Sequence, residues 1–253
     1  MTPVKFGALI IGDEILLGKR QDKHFPFIVA ALAKRGLRLD WCEYLADDPQ
    51  RITATLQRTF ASFDVVFSFG GIGATPDDHT RACAAVAAGV ELALHPEAER
   101  EIRGRFGGEA TPNRLAMGEF PSGAAIIPNP VNRIPGFSLA EHHFVPGFPQ
   151  MAWPMIEQVL DTRYAHLANA ERRDELSVYV FGAGESQLAD LMYGIEARYP
   201  GLKVFSLPSM GADGSRRHIE LGVRGDPAAV KNAMGEMRAE IARRGFPLRE
   251  TLA

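Results

Sequence analysis

The sequence of 253 residues predicts an α/β fold: a three-layer αβα sandwich around a mostly parallel sheet, followed by a small α+β domain. Three observations carry this. Residues 4–11 form a nearly unbroken apolar run, the pattern of a strand covered on both faces. Strand-like and helix-like segments then alternate through the first ninety or so residues, as right-handed βαβ units require. A second block with its own order of strands and helices begins near Leu176. Two cores are the expectation for a chain of this length.

The elements follow in order. The first strand ends at Gly12-Asp13-Glu14, which puts an acidic pair in a loop at its carboxyl end. Phe25, Ile28, Val29 and Leu32 recur at helical spacing, with Asp22 as a cap and Gly36 as a stop. Residues 37–45 alternate as a strand, and Asp48-Pro49 opens a helix bearing Ile52, Leu56 and Phe60. Residues 64–69 are a short strand that runs into Gly70-Gly71-Ile72-Gly73, after which Asp77 or Asp78 can cap a helix through Cys83 and Val86. A polar helix is expected over 97–105. Strands are expected at 124–127 and 143–145, and a helix through Trp153, Ile156, Val159 and Leu160. The pair His142-His143 precedes the last of these strands without the partner spacing of a zinc site.

The first domain is expected to span residues 1–165 and the second 174–253, joined by the charged, aperiodic stretch 165–173. In the second, strands at 176–181, 202–207 and 218–223 and helices at 186–199 and 227–243 give a βαββα order. Gly182-Ala183-Gly184 before Glu185-Ser186 reads as an ordinary helix start. Arg238, Arg243, Arg244 and Lys231 are interleaved with Glu236 and Glu240, the pattern of a solvated helix face.

Hydrophobic residues at 46% and charged residues at 23% exclude an intrinsically disordered chain. A net charge of -3 and a pI near 6.2 provide no global attraction for nucleic acid or an acidic membrane. Any anion site must therefore be local, and the partner expected from the glycine loop is a small phosphate-bearing ligand. Cys42 and Cys83 form no close pair, which suits a reducing compartment. The opening apolar run is too short for a signal segment or a membrane span, so the cytoplasm is the expected location.

In doubly wound sheets ligands bind outside the carboxyl ends of the strands, where Gly12-Asp13-Glu14 and residues 70–78 both fall. The glycines Gly70, Gly71 and Gly73 let backbone N–H groups approach a phosphate, and the helix behind them adds a favourable dipole. Thr75 and Thr80 can donate hydroxyl hydrogen bonds to the same oxygens. A cluster of Gly and Asp after a strand is also ordinary turn chemistry. Asp13, Glu14, Asp77 and Asp78 are hard donors suited to a divalent cation such as magnesium, which would offset ligand charge and activate a water. Otherwise Asp78 caps its helix and Asp13 tightens a turn. His24, near the start of the first helix, is either a ligand or proton-transfer contact or a surface residue without a role.

Gly12-Asp13-Glu14-Ile15-Leu16-Leu17-Gly18 and Gly70-Gly71-Ile72-Gly73-Ala74-Thr75-Pro76-Asp77-Asp78-His79-Thr80-Arg81 together resemble the molybdopterin-binding domain family typified by competence/damage-inducible protein A. Asn129-Pro130-Val131-Asn132-Arg133-Ile134-Pro135-Gly136 and Val145-Pro146-Gly147-Phe148-Pro149 are similar to two further turns of that family. The likeness covers roughly residues 4–160.

It implies a molybdopterin-binding-like sandwich that takes molybdopterin or a nucleotide, and metal-dependent hydrolysis of a pyrophosphate such as ADP-ribose with magnesium or cobalt. It also implies a homo-oligomer. The implied catalytic residues are Asp13, Glu14 and Asp78, and the implied metal ligands Asp77 and Asp78. The implied ligand contacts are Gly12, His24, Gly70, Gly71, Gly73, Thr75, Thr80, Asn129, Pro146 and Gly147. The nicotinamide mononucleotide deamidase domain of longer relatives is not expected within these residues. Departures from the family pattern are Phe69 for a hydroxyl residue, Ala74 for Pro, His24 for Asn, Asn132-Arg133 for a Gly-Thr pair and Met151 for an acid. They suit a site with altered ligand choice, or one that binds without turnover.

Overall fold

All six residues of β1 (Phe6–Ile11) are buried, and they alternate between two cores as strand geometry requires. Phe6, Ala8 and Ile10 face one cluster and Leu9 and Ile11 the other. The computed structural model describes residues 4–168, 174–209 and 217–251, and the chain divides into two compact units, residues 1–169 and 170–253.

In the first unit β1 leads through α1 (Asp13–Leu16) and α2 (His24–Ala33) to β2 (Trp41–Leu45), then α3 (Pro49–Phe60), β3 (Val65–Phe69) and α4 (Thr80–Ala88). A small antiparallel pair follows, β4 (Leu92–Leu94) and β5 (Glu119–Pro121), separated by α5 (Pro96–Phe106) and α6 (Pro112–Leu115). β6 (Ala125–Ile127), β7 (Gly136–Leu139), β8 (His142–Val145) and α7 (Pro149–Arg163) complete it. The six-stranded sheet has the order β2-β1-β3-β8-β7-β6. Its first four strands are parallel; β7 runs antiparallel to β8, and β6, antiparallel to β7, runs with the first four. Ile28 and Leu32 of α2 pack with Met155, Ile156 and Leu160 of α7 on one face. Ile52 and Leu56 of α3, Cys83 and Ala84 of α4 and Ala98 of α5 cover the other. This is the three-layer αβα sandwich expected.

Several details differ. Asp13 and Glu14 lie in the short helix α1 rather than in a loop. β2 begins at Trp41 and not at residue 37, because Asp40 exchanges hydrogen bonds with Phe6: its N–H donates to the Phe6 carbonyl and its carboxylate accepts the Phe6 N–H. The polar side chain closes the start of the ladder. His142 and His143 lie inside β8 and are buried. They are accommodated there because each is hydrogen-bonded: His142 Nε2 to Thr59 Oγ1 at 2.8 Å, and His143 to Ser138 Oγ at 2.8 Å and Tyr164 OH at 2.7 Å.

The second unit contains β9 (Asp174–Phe181), α8 (Ala189–Arg198), β10 (Lys203–Ser209), β11 (His218–Gly225), α9 (Pro227–Arg243) and β12 (Leu248–Arg249). The antiparallel sheet order is β10-β11-β9-β12. Val178, Val180, Leu221 and Val223 pack on Leu191, Ile195, Met234 and Ile241 of the two helices. β12, with two residues, is too short to leave a pattern in the sequence. α8 starts three residues later than expected, after a 3₁₀ turn at Glu185–Gln187 in which Gln187 Oε1 accepts the Gly184 N–H at 2.8 Å. Of the expected linker, Ala165–Leu167 is a 3₁₀ turn, and residues 169–173 lie outside the described residues.

Candidate functional site

Parallel β1, β2, β3 and β8 deliver their carboxyl ends to one edge of the sheet. Because β7 is antiparallel to β8, the turn that enters β7 lies there too. Along this edge the order is Asp47 after β2, Asp13 and Glu14 after β1, the glycine loop after β3, Pro146-Gly147 after β8, and the turn 128–135. The expected site residues are therefore brought to one edge, although the chain separates them by more than a hundred residues.

The glycine loop is held by its own side chains. Asp78 does not cap α4, whose N-cap is His79 without a side-chain bond. Instead Asp78 Oδ1 accepts the Gly73 N–H at 2.8 Å, and Oδ2 accepts the Thr75 N–H at 2.8 Å and the Thr75 hydroxyl. Thr80 Oγ1 donates to the Gly70 carbonyl at 3.1 Å, and the Thr80 N–H to Gly71 O at 2.9 Å. The hydroxyls of Thr75 and Thr80, expected to face phosphate, are thus engaged inside the loop. The glycines answer the same packing: a Cβ on Gly71 (φ +68°) would lie 2.2 Å from Thr80 Oγ1, and one on Gly73 2.5 Å from Asp78 Oδ2. With these bonds made, no acceptor among the described residues takes the N–H of Gly71, Ile72, Ala74 or Gly147.

Arg81, quoted in the motif but assigned no role from sequence, braces the loop from inside. Its Nη2 donates to the Gly73 carbonyl at 2.5 Å and its Nη1 to the carbonyls of Ala116 and Glu119.

His24 is neither on the surface nor pointed at open solvent. It is 5% exposed, stacks on Phe69, and donates through Nε2 to the Gly147 carbonyl at 3.0 Å. Because a carbonyl only accepts, the neutral ring carries its proton on Nε2, and Nδ1 has no partner among the described residues. Burial pushes its pKa down, against the Gly147 bond and the charge of Asp22. The capping role expected of Asp22 holds: its carboxylate accepts the N–H groups of His24 and Phe25.

At the β1–β2 end the acids include one that the sequence did not single out. The Asp13 N–H donates to Asp47 Oδ2 at 2.9 Å and the Asp47 N–H to Asp13 Oδ1 at 3.2 Å. Burial, then the charges of Asp13, Glu14 and Asp77, raise the Asp47 pKa above the ordinary carboxylate value. Asp47 adjoins Asp48, which the sequence marks as the α3 cap and which does accept from Gln50 and Arg51. The capping reading absorbed the pair. Glu14 folds back over Gly12, where a Cβ would lie 2.5 Å from its Oε2. Among the described residues no three His, Cys, Asp or Glu side chains gather closely enough to hold a metal ion. Asp78, expected as a metal ligand, is engaged inside the loop.

Asn129 is buried and spent within its turn, accepting from Val131 and Asn132 and donating to Ile134 O. Asn132 Nδ2 meets Met151 Sδ at 3.0 Å. Arg133 pairs with Glu101 at 2.9 Å.

The parallel α/β sandwich is of the doubly wound class, whose strand carboxyl ends are the usual place for a ligand. Residues 7–166 match the family model described as "Probable molybdopterin binding domain", and the chain belongs to the molybdopterin-binding domain family. It is similar to CinA-like proteins of Geobacter metallireducens (34% identity over 209 residues, 79% of this chain and 51% of that protein) and Citrifermentans bemidjiense (34% over 200 residues, 76% and 48%). It spans about half the length of these curated relatives. The solved structure of CinA from Thermoplasma acidophilum, a protein described as of unknown function, has a TM-score of 0.57 at 27% identity. The match covers 62% of this chain and 97% of that one. No helix among the described residues is long and apolar enough to cross a membrane.

Proposed function

We propose that this chain binds a small ligand with a phosphate beside a flat heterocycle, a pterin phosphate or a nucleotide, at the edge between β3 and β8. The observation that supports this reading is the set of backbone N–H groups at Gly71, Ile72, Ala74 and Gly147 that have no acceptor among the described residues. Such groups at strand ends, beside the start of a helix, are what an anion requires. The ligand contacts fall on Gly70, Gly71, Gly73, Gly147 and Pro146, while Asp78, Thr75 and Thr80 hold the loop in shape. The match to the molybdopterin-binding model supports a pterin.

A second reading, hydrolysis of a pyrophosphate such as ADP-ribose, is favoured by the raised pKa of Asp47 among Asp13, Glu14 and Asp77, since a cation at that end would relieve the repulsion. Calorimetric titration of the full chain with ADP-ribose and with a pterin monophosphate, each with magnesium, cobalt or chelator, tests both. Saturable binding lost in Asp13→Ala only when metal is present supports a metal-assisted site, and turnover of ADP-ribose supports hydrolysis. If neither probe binds under any condition, the reading is wrong.

A further inference from the structure

Arg81 is a buried cation whose hydrogen-bond acceptors are all carbonyls. It is 8% exposed, and no ion pair joins it to a carboxylate among the described residues. Its Nε has no partner, and Glu119 and Asp78 act on it only through space. A guanidinium held this way costs stability unless its position does something for its surroundings.

What it touches is a loop residue gripped at both ends by side chains. The Gly73 N–H is taken by Asp78 and its carbonyl by Arg81. Across a trans peptide the carbonyl and the next N–H point in opposite directions, and the chain has no cis bond among its described residues. The Ala74 N–H is therefore directed away from the guanidinium, and it is one of the amides without an acceptor among the described residues.

We propose that Arg81 is the positioning residue of this loop: holding the Gly73 carbonyl from inside the protein, it turns the Ala74 amide toward the ligand's phosphate and supplies positive charge to an edge otherwise lined by acids. The inference rests on the phosphate-binding reading above. A lysine would keep the charge but could not fork across Gly73 and the segment 116–119, so the two contributions are separable.

The test uses the full chain, with amide exchange followed by NMR and binding of pyrophosphate and ADP-ribose followed by calorimetry. In Arg81→Lys and Arg81→Met, exchange of the Gly73 amide should rise about tenfold while β1 and β3 amides keep their protection. The Kd should weaken about tenfold in Arg81→Lys and further in Arg81→Met. In Arg81→Ala, millimolar guanidinium ion should restore binding where sodium chloride of equal ionic strength does not, a result that a merely structural role would not produce. A folded Arg81→Met with parent-like Kd and parent-like Gly73 exchange overturns the proposal. If the parent binds neither probe, the phosphate reading falls by itself, and unchanged Gly73 exchange would then remove Arg81's hold on the loop as well.

Discussion

The imidazole of His24 lies on the ring of Phe69, with centroids 4.5 Å and planes 22° apart. From sequence both positions are expected to depart from the family pattern, and the structure places the two side chains in contact. A second such contact joins Asn132 to Met151. Four of the six departures therefore meet as two contacting pairs.

The His24–Phe69 stack is expected to be energetically coupled. A double-mutant cycle with His24→Asn and Phe69→Thr, read by urea denaturation, should show a coupling of about 0.5–1.5 kcal/mol. Strict additivity would mean the rings are neighbours without being partners.

Acid should destabilise the first unit through His142 and His143. Burial holds both imidazoles down at about 3. Unfolded histidine titrates near pH 6.5, so as pH falls below that value the unfolded chain takes up protons that the native one refuses, and stability is lost progressively down to about pH 3. Each histidine contributes up to about 1.4 kcal/mol per pH unit within that window. Replacing His142 with Gln, whose Nε2 matches the position of the imidazole Nε2 that bonds Thr59, should flatten the pH dependence of the urea midpoint between about pH 6 and pH 4. An unchanged slope would show that His142 is protonated in the native state.

Substitution at the glycines should sort by local geometry. Gly71→Ala meets a positive φ and Thr80 Oγ1, and Gly73→Ala displaces Asp78, so each should cost about 1–3 kcal/mol and weaken ligand binding. Gly147→Ala, whose Cβ would make an ordinary 3.5 Å contact with Gly70, should be tolerated within about 0.5 kcal/mol. Thermal melts of the three variants decide it. Equal losses at all three would remove the distinction.

Residues 1–168 and 174–253, expressed separately, should each fold, because every buried cluster is drawn from one unit alone. Cooperative melting of both fragments is the expected result; aggregation of the first would show that its core needs the second.

The parallel fold was legible because unbroken apolar strands alternate with helical spacing, and residues such as Ile28, Ile52 and Phe67 sit in the cores their patterns predict. The edge that gathers the site followed from strand direction alone. What the pattern could not show was which way a polar side chain turns. Asp78 read equally well as a helix cap, a metal ligand or a loop brace, since all three need a carboxylate at a loop end. Asp47 was hidden beside the better capping residue Asp48. Arg81 looked like any arginine in a first helical turn, because its burial depends on the segment 116–119, far away in sequence. His24 took its meaning from Gly147, more than a hundred residues on.

The hydrogen-bonded chain from Ser138 through His143 to Tyr164 and on to Glu141 has a mechanical consequence. Tyr164 ends α7, a few residues before the described part of the first unit stops. A pull on the chain beyond it meets this anchor before it can unwind the helix, and the load passes into β7, β8 and the hairpin between them. Strand β8 carries Pro146-Gly147 just past its other end, so the end of α7 and this turn are fastened to opposite ends of one stiff element. Tension there would be resisted first at the rear of the sheet, at the opposite end of β8 from the glycine loop.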